Sequence, residues 1–117
     1  MIVVDERGRN VQSALNRISN IFQENNILID RNAVIQARGV ASVTNRLRDN
    51  DGGWFCEVAI NIEFTNRHTS EVFGNLYGTG VMRGQTQDVT IDRAFGVIRL
   101  NVEDIRNLIL EIEGTQR

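Results

Sequence analysis

The first apolar stripe of the chain has the spacing of a helix, and its members are Val11, Leu15, Ile18 and Phe22. Polar residues fill the opposite side, so the pattern predicts an amphipathic helix with one buried face. Asn10 is the predicted N-cap, because an Asn side chain accepts a free backbone N–H of the first turn. Asn25 and Asn26 are the predicted stop. The short apolar stretch 2–4 before this helix is predicted to be an edge strand.

The clearest strand is an alternation over residues 54–64, whose apolar positions are Trp54, Cys56, Val58, Ile60, Ile62 and Phe64. Polar residues between them predict a sheet with one buried and one solvated face. Segments 27–29 and 33–44 are predicted to be extended, and Gly39 indicates a bulge or a close backbone approach. Residues 50–53, Asn-Asp-Gly-Gly, predict a tight turn between the two strands.

A second strand is predicted over residues 71–81, after a polar turn at 65–70. Alternation places Val72 and Leu76 on one face and Phe73, Tyr77 and Val81 on the other. The glycines at 74, 78 and 80 fall on the Val72 side, where another element is expected to pack closely against the backbone.

The last segment allows two interpretations. A 4-3-4-3 apolar spacing favours one long helix that begins near Asp88 or Thr90 and ends at Gly114; its members are Ile91, Phe95, Ile98, Val102, Ile105, Ile109 and Ile112. The alternative is a strand over 95–100 and a shorter helix that starts at Asn101, where Asp104 completes a capping arrangement. The long helix is the preferred prediction, although Gly96 interrupts it.

The predicted fold is therefore α+β and forms a single domain over residues 1–117. It consists of an N-terminal helix, an antiparallel β-meander of three to five strands and a long C-terminal helix, with both helices on one face of the sheet. The length of 117 residues suits one hydrophobic core. Contents of 41% hydrophobic and 24% charged residues are those of an ordinary globular chain and argue against disorder.

Composition also excludes several classes of protein. The longest apolar run is four residues, far short of the ~20 that a spanning helix needs. Charges at Asp5, Glu6 and Arg7 argue against a signal peptide, so a soluble protein of the cytoplasm or a virion is the most compatible prediction. All 13 basic residues are Arg, and the chain has no Lys and no Pro. This usage reflects either compositional bias or a surface rich in bidentate Arg contacts.

Few residues have the chemistry of an active site. His68 is the only histidine and falls in the polar turn, and Cys56, the only cysteine, falls on the apolar side of the best strand. Glu57 and Glu63 are six residues apart on one strand, which separates them by ~20 Å, too far for paired acid–base catalysis. The chain has no Lys for a phosphate-binding loop. We therefore predict a protein that is not an enzyme, with no catalytic, cofactor or metal site and no small-molecule substrate.

A single-stranded nucleic-acid module is one alternative, with Arg38, Arg46 and Arg48 around Trp54 as a stacking and phosphate platform. The strand–glycine–strand–helix order from Glu71 onward resembles the core of single-strand annealing recombinases over less than half of the chain. That resemblance implies single-strand binding, but the chain lacks the lysines of such proteins. A net charge of −2 and an isoelectric point near 5.4 also argue against this function.

The leading prediction is a structural or assembly protein that self-associates or docks into a larger complex, such as an adaptor, terminator or ring component of a virion or tail-like machine. Its predicted partners are proteins, including further copies of itself. The predicted interface combines apolar anchors with an Arg rim, namely Phe55, Phe73, Tyr77 and Val81 with Arg46, Arg48 and Arg83. A bulge that restores one strand parity would reduce this patch. A small inhibitor of one macromolecular target is a further alternative.

Overall fold

The computed structural model describes residues 1–25 and 35–115, with side chains as far as Glu111. Within these ranges the elements are β1 (Ile2–Asp5), α1 (Gln12–Glu24), β2 (Ile35–Arg48), β3 (Trp54–Asn66), β4 (Val72–Gly84), α2 (Gln87–Phe95), β5 (Arg99–Leu100) and α3 (Val102–Thr115). The α+β class is therefore confirmed. The predicted extended segments 27–29 and 33–34 lie outside the described residues.

One five-stranded sheet has the order β1-β2-β3-β4-β5, so neighbours in space are neighbours among the strands in sequence. Strands β2, β3 and β4 form the predicted antiparallel meander; the turn that contains Gly52 (φ 88°) joins β2 to β3, and residues 67–71 join β3 to β4. The edge strand predicted at 2–4 is confirmed as β1, so a strand and not a helix starts the chain. The prediction of an entirely antiparallel sheet is wrong, because β1 pairs parallel with β2. Alternation of apolar and polar residues indicates which side of a strand is buried. It does not indicate whether the neighbouring strand runs parallel or antiparallel.

The core lies between one face of the sheet and the three helices. The buried side chains of α1, α2 and α3 join those of β3 in one cluster, in which the Phe22 and Phe64 rings are 5.7 Å apart. Arg17 of α1 donates a 2.8 Å hydrogen bond from its Nε to the backbone oxygen of Ile98 and so ties α1 to the segment between α2 and β5.

Helix α1 matches its predicted length, but its N-cap differs from the prediction. The N-cap residue is Val11 instead of Asn10, and no side chain caps this end. Asn10 instead forms a bridge with Val4. At the other end Asn25 is the C-cap, as predicted, with a φ of −104° and a side-chain amide that donates to the Ile21 carbonyl. This Asn therefore ends the helix through a hydrogen bond and not through a left-handed conformation.

The preferred prediction of one long C-terminal helix is wrong. Helix α2 ends at Gly96, β5 follows, and α3 starts after Asn101, whose Oδ1 accepts the backbone N–H groups of Glu103 (2.8 Å) and Asp104 (3.4 Å). The alternative with a strand and a new helix near Asn101 is therefore closer to the structure. Apolar residues keep helical spacing across the break because both helices and the link between them bury Phe95, Ile98 and Ile105 in the same core.

Close packing of the helical layer depends on small residues in β4. A Cβ atom at Gly78 would lie 2.9 Å from the backbone oxygen of Arg99, so β5 approaches the backbone of β4 more closely than any other residue allows. The predicted close approach on this side of the strand is confirmed. At Gly39 a Cβ would lie 3.2 Å from Ile60 Cδ1, which is also a close approach, but the predicted bulge is at Thr44 instead.

Candidate protein interaction surface

The sheet has two unlike faces. Side chains on the helix-covered face are buried, as at Ile62 and Leu76, which are opposite each other on β3 and β4. The other face has no helix packed against it in the described ranges, and we refer to it as the open face. Its residues on β3 and β4 include Asn61 and Tyr77, which also pair directly.

Large apolar side chains are exposed on the open face of β1, β2 and β4. Tyr77 is 59% exposed and Val81 is 50% exposed, in the middle of β4. By strand register, six exposed apolar residues share this face: Ile2, Val40, Leu47, Val72, Tyr77 and Val81. Contiguous apolar patches of this kind on a protein surface commonly mark a binding site.

A row of small residues crosses the centre of the open face. Ser42, Ala59 and Thr79 are directly opposite one another on β2, β3 and β4. Larger residues stand on both sides of this row, with Tyr77 on one side and Val81 on the other. The neighbouring rows, Val40–Asn61–Tyr77 and Asn45–Glu57–Val81, carry larger side chains of mixed polarity, so the centre of the open face consists of the smallest residues.

Charges of both signs surround this apolar centre. Arg38 and Glu63 pair across β2 and β3, and Arg99 lies on β5 opposite Thr79. Thr44 is the bulged residue of β2, and its hydroxyl donates a 3.0 Å hydrogen bond to the Glu57 carboxylate. This hydrogen bond fixes a negative charge beside the central row.

Four of the predicted interface residues are on the open face. Phe55, Tyr77, Val81 and Arg83 share it by register, and the Arg83 guanidinium carbon is 5.4 Å from the centre of the Phe55 ring. This distance allows a cation–π interaction, which holds an Arg charge above an aromatic surface.

Phe73 is not part of that group, contrary to its predicted position beside Tyr77 and Val81. It is the extra residue of a bulge, because Phe64 pairs with Gly74 whereas Thr65 pairs with Val72. The bulge reverses the parity of the strand end. Phe73 therefore packs against the core cluster, and Val72, predicted to share a face with Leu76, is exposed instead.

Arg46 and Arg48 are on the opposite side of the sheet from Arg83. They pair with Cys56 and Trp54, which belong to the helix-covered side, and the Arg48 guanidinium carbon lies 5.9 Å from the centre of the Trp54 ring. The bulge at Thr44 shifts these two arginines to this side. The predicted Arg rim is thus divided between the two faces of the sheet, with Arg46 and Arg48 of β2 on one and Arg83 of β4 on the other.

Sequence reasoning missed four open-face residues, Ile2, Val40, Leu47 and Val72. Val40 lies in a segment that was predicted to be extended, and its neighbours Gly39 and Ala41 are buried. Alternation along a strand therefore places Val40 on the other face. Leu47 reaches the open face only through the bulge at Thr44, which no local residue pattern indicates.

The single cysteine and the single histidine lie at opposite ends of β3, so they do not form a catalytic pair. Cys56 is buried, as predicted from its position in β3, and desolvation raises the pKa of its thiol, with the nearby Arg46 acting weakly in the opposite direction. His68 is exposed in the turn after β3, where its backbone N–H donates to Asn66 Oδ1. A buried protonated thiol is a poor nucleophile.

An open cleft of about 440 Å³ lies beside the loop between β1 and α1. Its polar wall includes Asp5, Arg7, Arg9 and Arg46. The Asp5 carboxylate accepts the backbone N–H groups of Arg7 and Arg9, and these hydrogen bonds, that from Arg9 above all, hold the pKa of Asp5 below its usual range. Asp5 thus uses its acceptors to order the loop. Among residues 1–25 and 35–115, no three His, Cys, Asp or Glu side chains converge to hold a metal ion.

No protein-family model matches the chain, and no curated protein matches it. In the part of the chain that the structure describes, the helices are too short or too polar to cross a bilayer.

Proposed function

We propose that this protein is a non-enzymatic assembly protein that associates with protein partners through the open face of its sheet. The observation that carries the proposal is the exposure of six large apolar side chains on one uncovered sheet face. Burying such side chains against a partner removes apolar surface from water, at roughly 25 cal/mol per Å². An interface is therefore the arrangement in which this surface is most stable.

The polar residues of the open face support the same function. Interfaces between proteins have an apolar centre and a polar rim in which Arg and aromatic residues are enriched. On the open face Tyr77 and Val81 flank the centre, whereas Arg38, Glu63 and Arg83 lie toward its ends. A role as an adaptor, terminator or ring component of a virion or tail-like machine would use such a face, and this finer assignment stays a prediction.

Binding of single-stranded nucleic acid has less support from the geometry. Arg48 and Trp54 form the kind of cationic and aromatic pair that stacks on a base. Arg38, however, belongs to the opposite side of the sheet, so the predicted platform is divided. A fluorescent oligonucleotide titrated at two salt concentrations tests this alternative, since phosphate contacts weaken steeply with salt.

The test of the proposed function is the solution mass of the wild type and of Tyr77→Asp, measured by light scattering over a hundredfold range of concentration. We expect the wild type to exceed the 13.2 kDa of one chain and Tyr77→Asp to approach it. Val89→Asp is the matched control, because Val89 is similarly exposed but belongs to α2. A wild type that stays monomeric would remove self-association and favour an inhibitor that binds a different protein.

A further inference from the structure

We propose that the partner of the open face is a second copy of this chain, packed face to face with its strands antiparallel to those of the first. The two-fold axis would run along the central row that contains Ala59 and Thr79. This inference rests on the proposed function and names the partner and its orientation.

Two sheets that pack face to face through the same surface have two simple two-fold arrangements. The axis lies between the sheets and runs either along the strands or across them. An axis along β3 would place each β3 residue against itself in the partner. Glu57 would then oppose the partner's Glu57, and Glu63 the partner's Glu63. Like charges held opposite each other in an interface are unfavourable.

An axis across the strands replaces these like-charge contacts. It exchanges positions that are equally far from the central row, so Glu57 opposes the partner's Asn61, whose amide donates to a carboxylate. Tyr77 opposes the partner's Val81, and symmetry repeats this apolar contact on the other side of the axis. Ala59 opposes the partner's Ala59, where two small side chains let the sheets approach and bring Tyr77 and Val81 into contact.

The charges at the ends of the face also match in this arrangement. Phe55 opposes the partner's Glu63, and Arg83 is held beside the Phe55 ring, so its guanidinium can pair with that carboxylate. Arg99 is the exception, since it falls near the partner's Arg99. It is exposed on the two-residue edge strand, where a long side chain can extend into water.

The area available is enough for a specific but concentration-dependent dimer. The eight residue steps from Phe55 to Glu63 span ~26 Å, and four neighbouring strands with their side chains span ~19 Å. The face is thus ~500 Å² in plan on each copy, or ~1,000 Å² in total, near the lower bound for a specific interface.

Exchange of one charge pair tests the orientation. Arg83→Glu and Glu63→Arg each place like charges opposite each other between copies, whereas the double variant restores opposite charges. Within one chain Glu63 is across from Asn75, eight residues along β4 from Arg83, so these two side chains are ~26 Å apart. Recovery in the double variant therefore reports a contact between copies.

The measurement is the dissociation constant of the dimer from sedimentation equilibrium in low salt. We expect each single variant to weaken the dimer about tenfold or more and the double variant to recover to within about threefold of the wild type. Arg106→Glu changes the net charge by the same amount as Arg83→Glu on an exposed position of α3, and it should leave the constant unchanged. Circular dichroism of each variant shows whether the fold is kept, because Glu63→Arg also faces Arg38 within the chain.

The outcomes separate this inference from the proposed function. A wild type that is monomeric throughout, or a double variant as weak as the singles, would overturn the proposed dimer. If the double variant fails but Tyr77→Asp still dissociates the wild-type oligomer, the open face is an interface with a different arrangement. If Tyr77→Asp leaves the oligomer intact, the proposed function itself is wrong.

Discussion

The two faces of β4 show how one strand can serve stability and association through alternate residues. Leu76 is 1% exposed among the helices, whereas its neighbour Tyr77 is 59% exposed on the open face. The helix-covered side gains its free energy within the chain through close packing. The open side retains apolar surface that only a partner can remove from water. Substitutions at Leu76 should therefore lower the free energy of unfolding, whereas substitutions at Tyr77 should weaken association with a partner.

The largest effect is expected from truncation in the helix-covered face. Leu76→Ala should lower the free energy of unfolding by about 2–5 kcal/mol, because it removes buried methyl groups and leaves a cavity. Tyr77→Ala should change the same quantity by less than about 0.5 kcal/mol, as an exposed substitution does. Urea denaturation at a protein concentration too low for association measures both. Equal losses at the two positions would contradict the division into two faces.

A smaller effect is expected where the helical layer touches the backbone of β4. Gly78→Ala should destabilise the fold by about 1–3 kcal/mol, because its Cβ would lie 2.9 Å from the backbone oxygen of Arg99 and force β5 away. Gly96→Ala is the matched control, since Gly96 has a φ of −70° and its Cβ would lie 3.4 Å from the Arg93 oxygen. Thermal unfolding of both variants tests the close approach, which a tolerated Gly78→Ala would disprove.

The smallest effect concerns the loop at the β1 edge of the helical layer. Asp5 has a lowered pKa in the fold, so its contribution to stability is present above the pKa of the unfolded chain and is lost as pH falls through the folded pKa. The wild type should therefore be more stable than Asp5→Asn near neutral pH, and the difference should shrink in acid. Urea midpoints from pH 7 to pH 2 measure this. Glu6→Gln, a neighbouring exposed carboxylate, serves as the control, and a difference independent of pH would contradict the role of the Asp5 charge.

The spacing of apolar residues predicted where strands and helices lie better than it predicted which side chains share a face of the sheet. The alternation of β3 and the stripe of α1 depend on burial that each segment carries in its own residues, so both were recognised. The bulges at Thr44 and Phe73 depend on pairing with another strand, and they moved Leu47 and Phe73 to faces that alternation did not indicate. The parallel pairing of β1 with β2 could not be predicted for the same reason, because it also depends on another strand.

The break between α2 and α3 shows a second limit of prediction from apolar spacing. Gly96 and Asn101 were visible as local signals for a helix end and a helix start, but the apolar spacing ran through them. Burial in one continuous core gives Phe95, Ile98 and Ile105 the same periodicity that a single helix would have. Periodicity therefore reported the buried side of this segment correctly and its secondary structure incorrectly.

The bulge at Phe73 has a consequence for how the chain can change in length. A residue inserted or deleted between Gly74 and Gly84 would exchange the two faces of β4 on one side of the change, so that glycines there would face outward and open-face residues would face the helices. A deletion at the bulge would shift only Val72 and the turn before it. We therefore expect sequences descended from this one to vary in length at the bulges and turns, and to keep a fixed number of residues from Gly74 to Gly84.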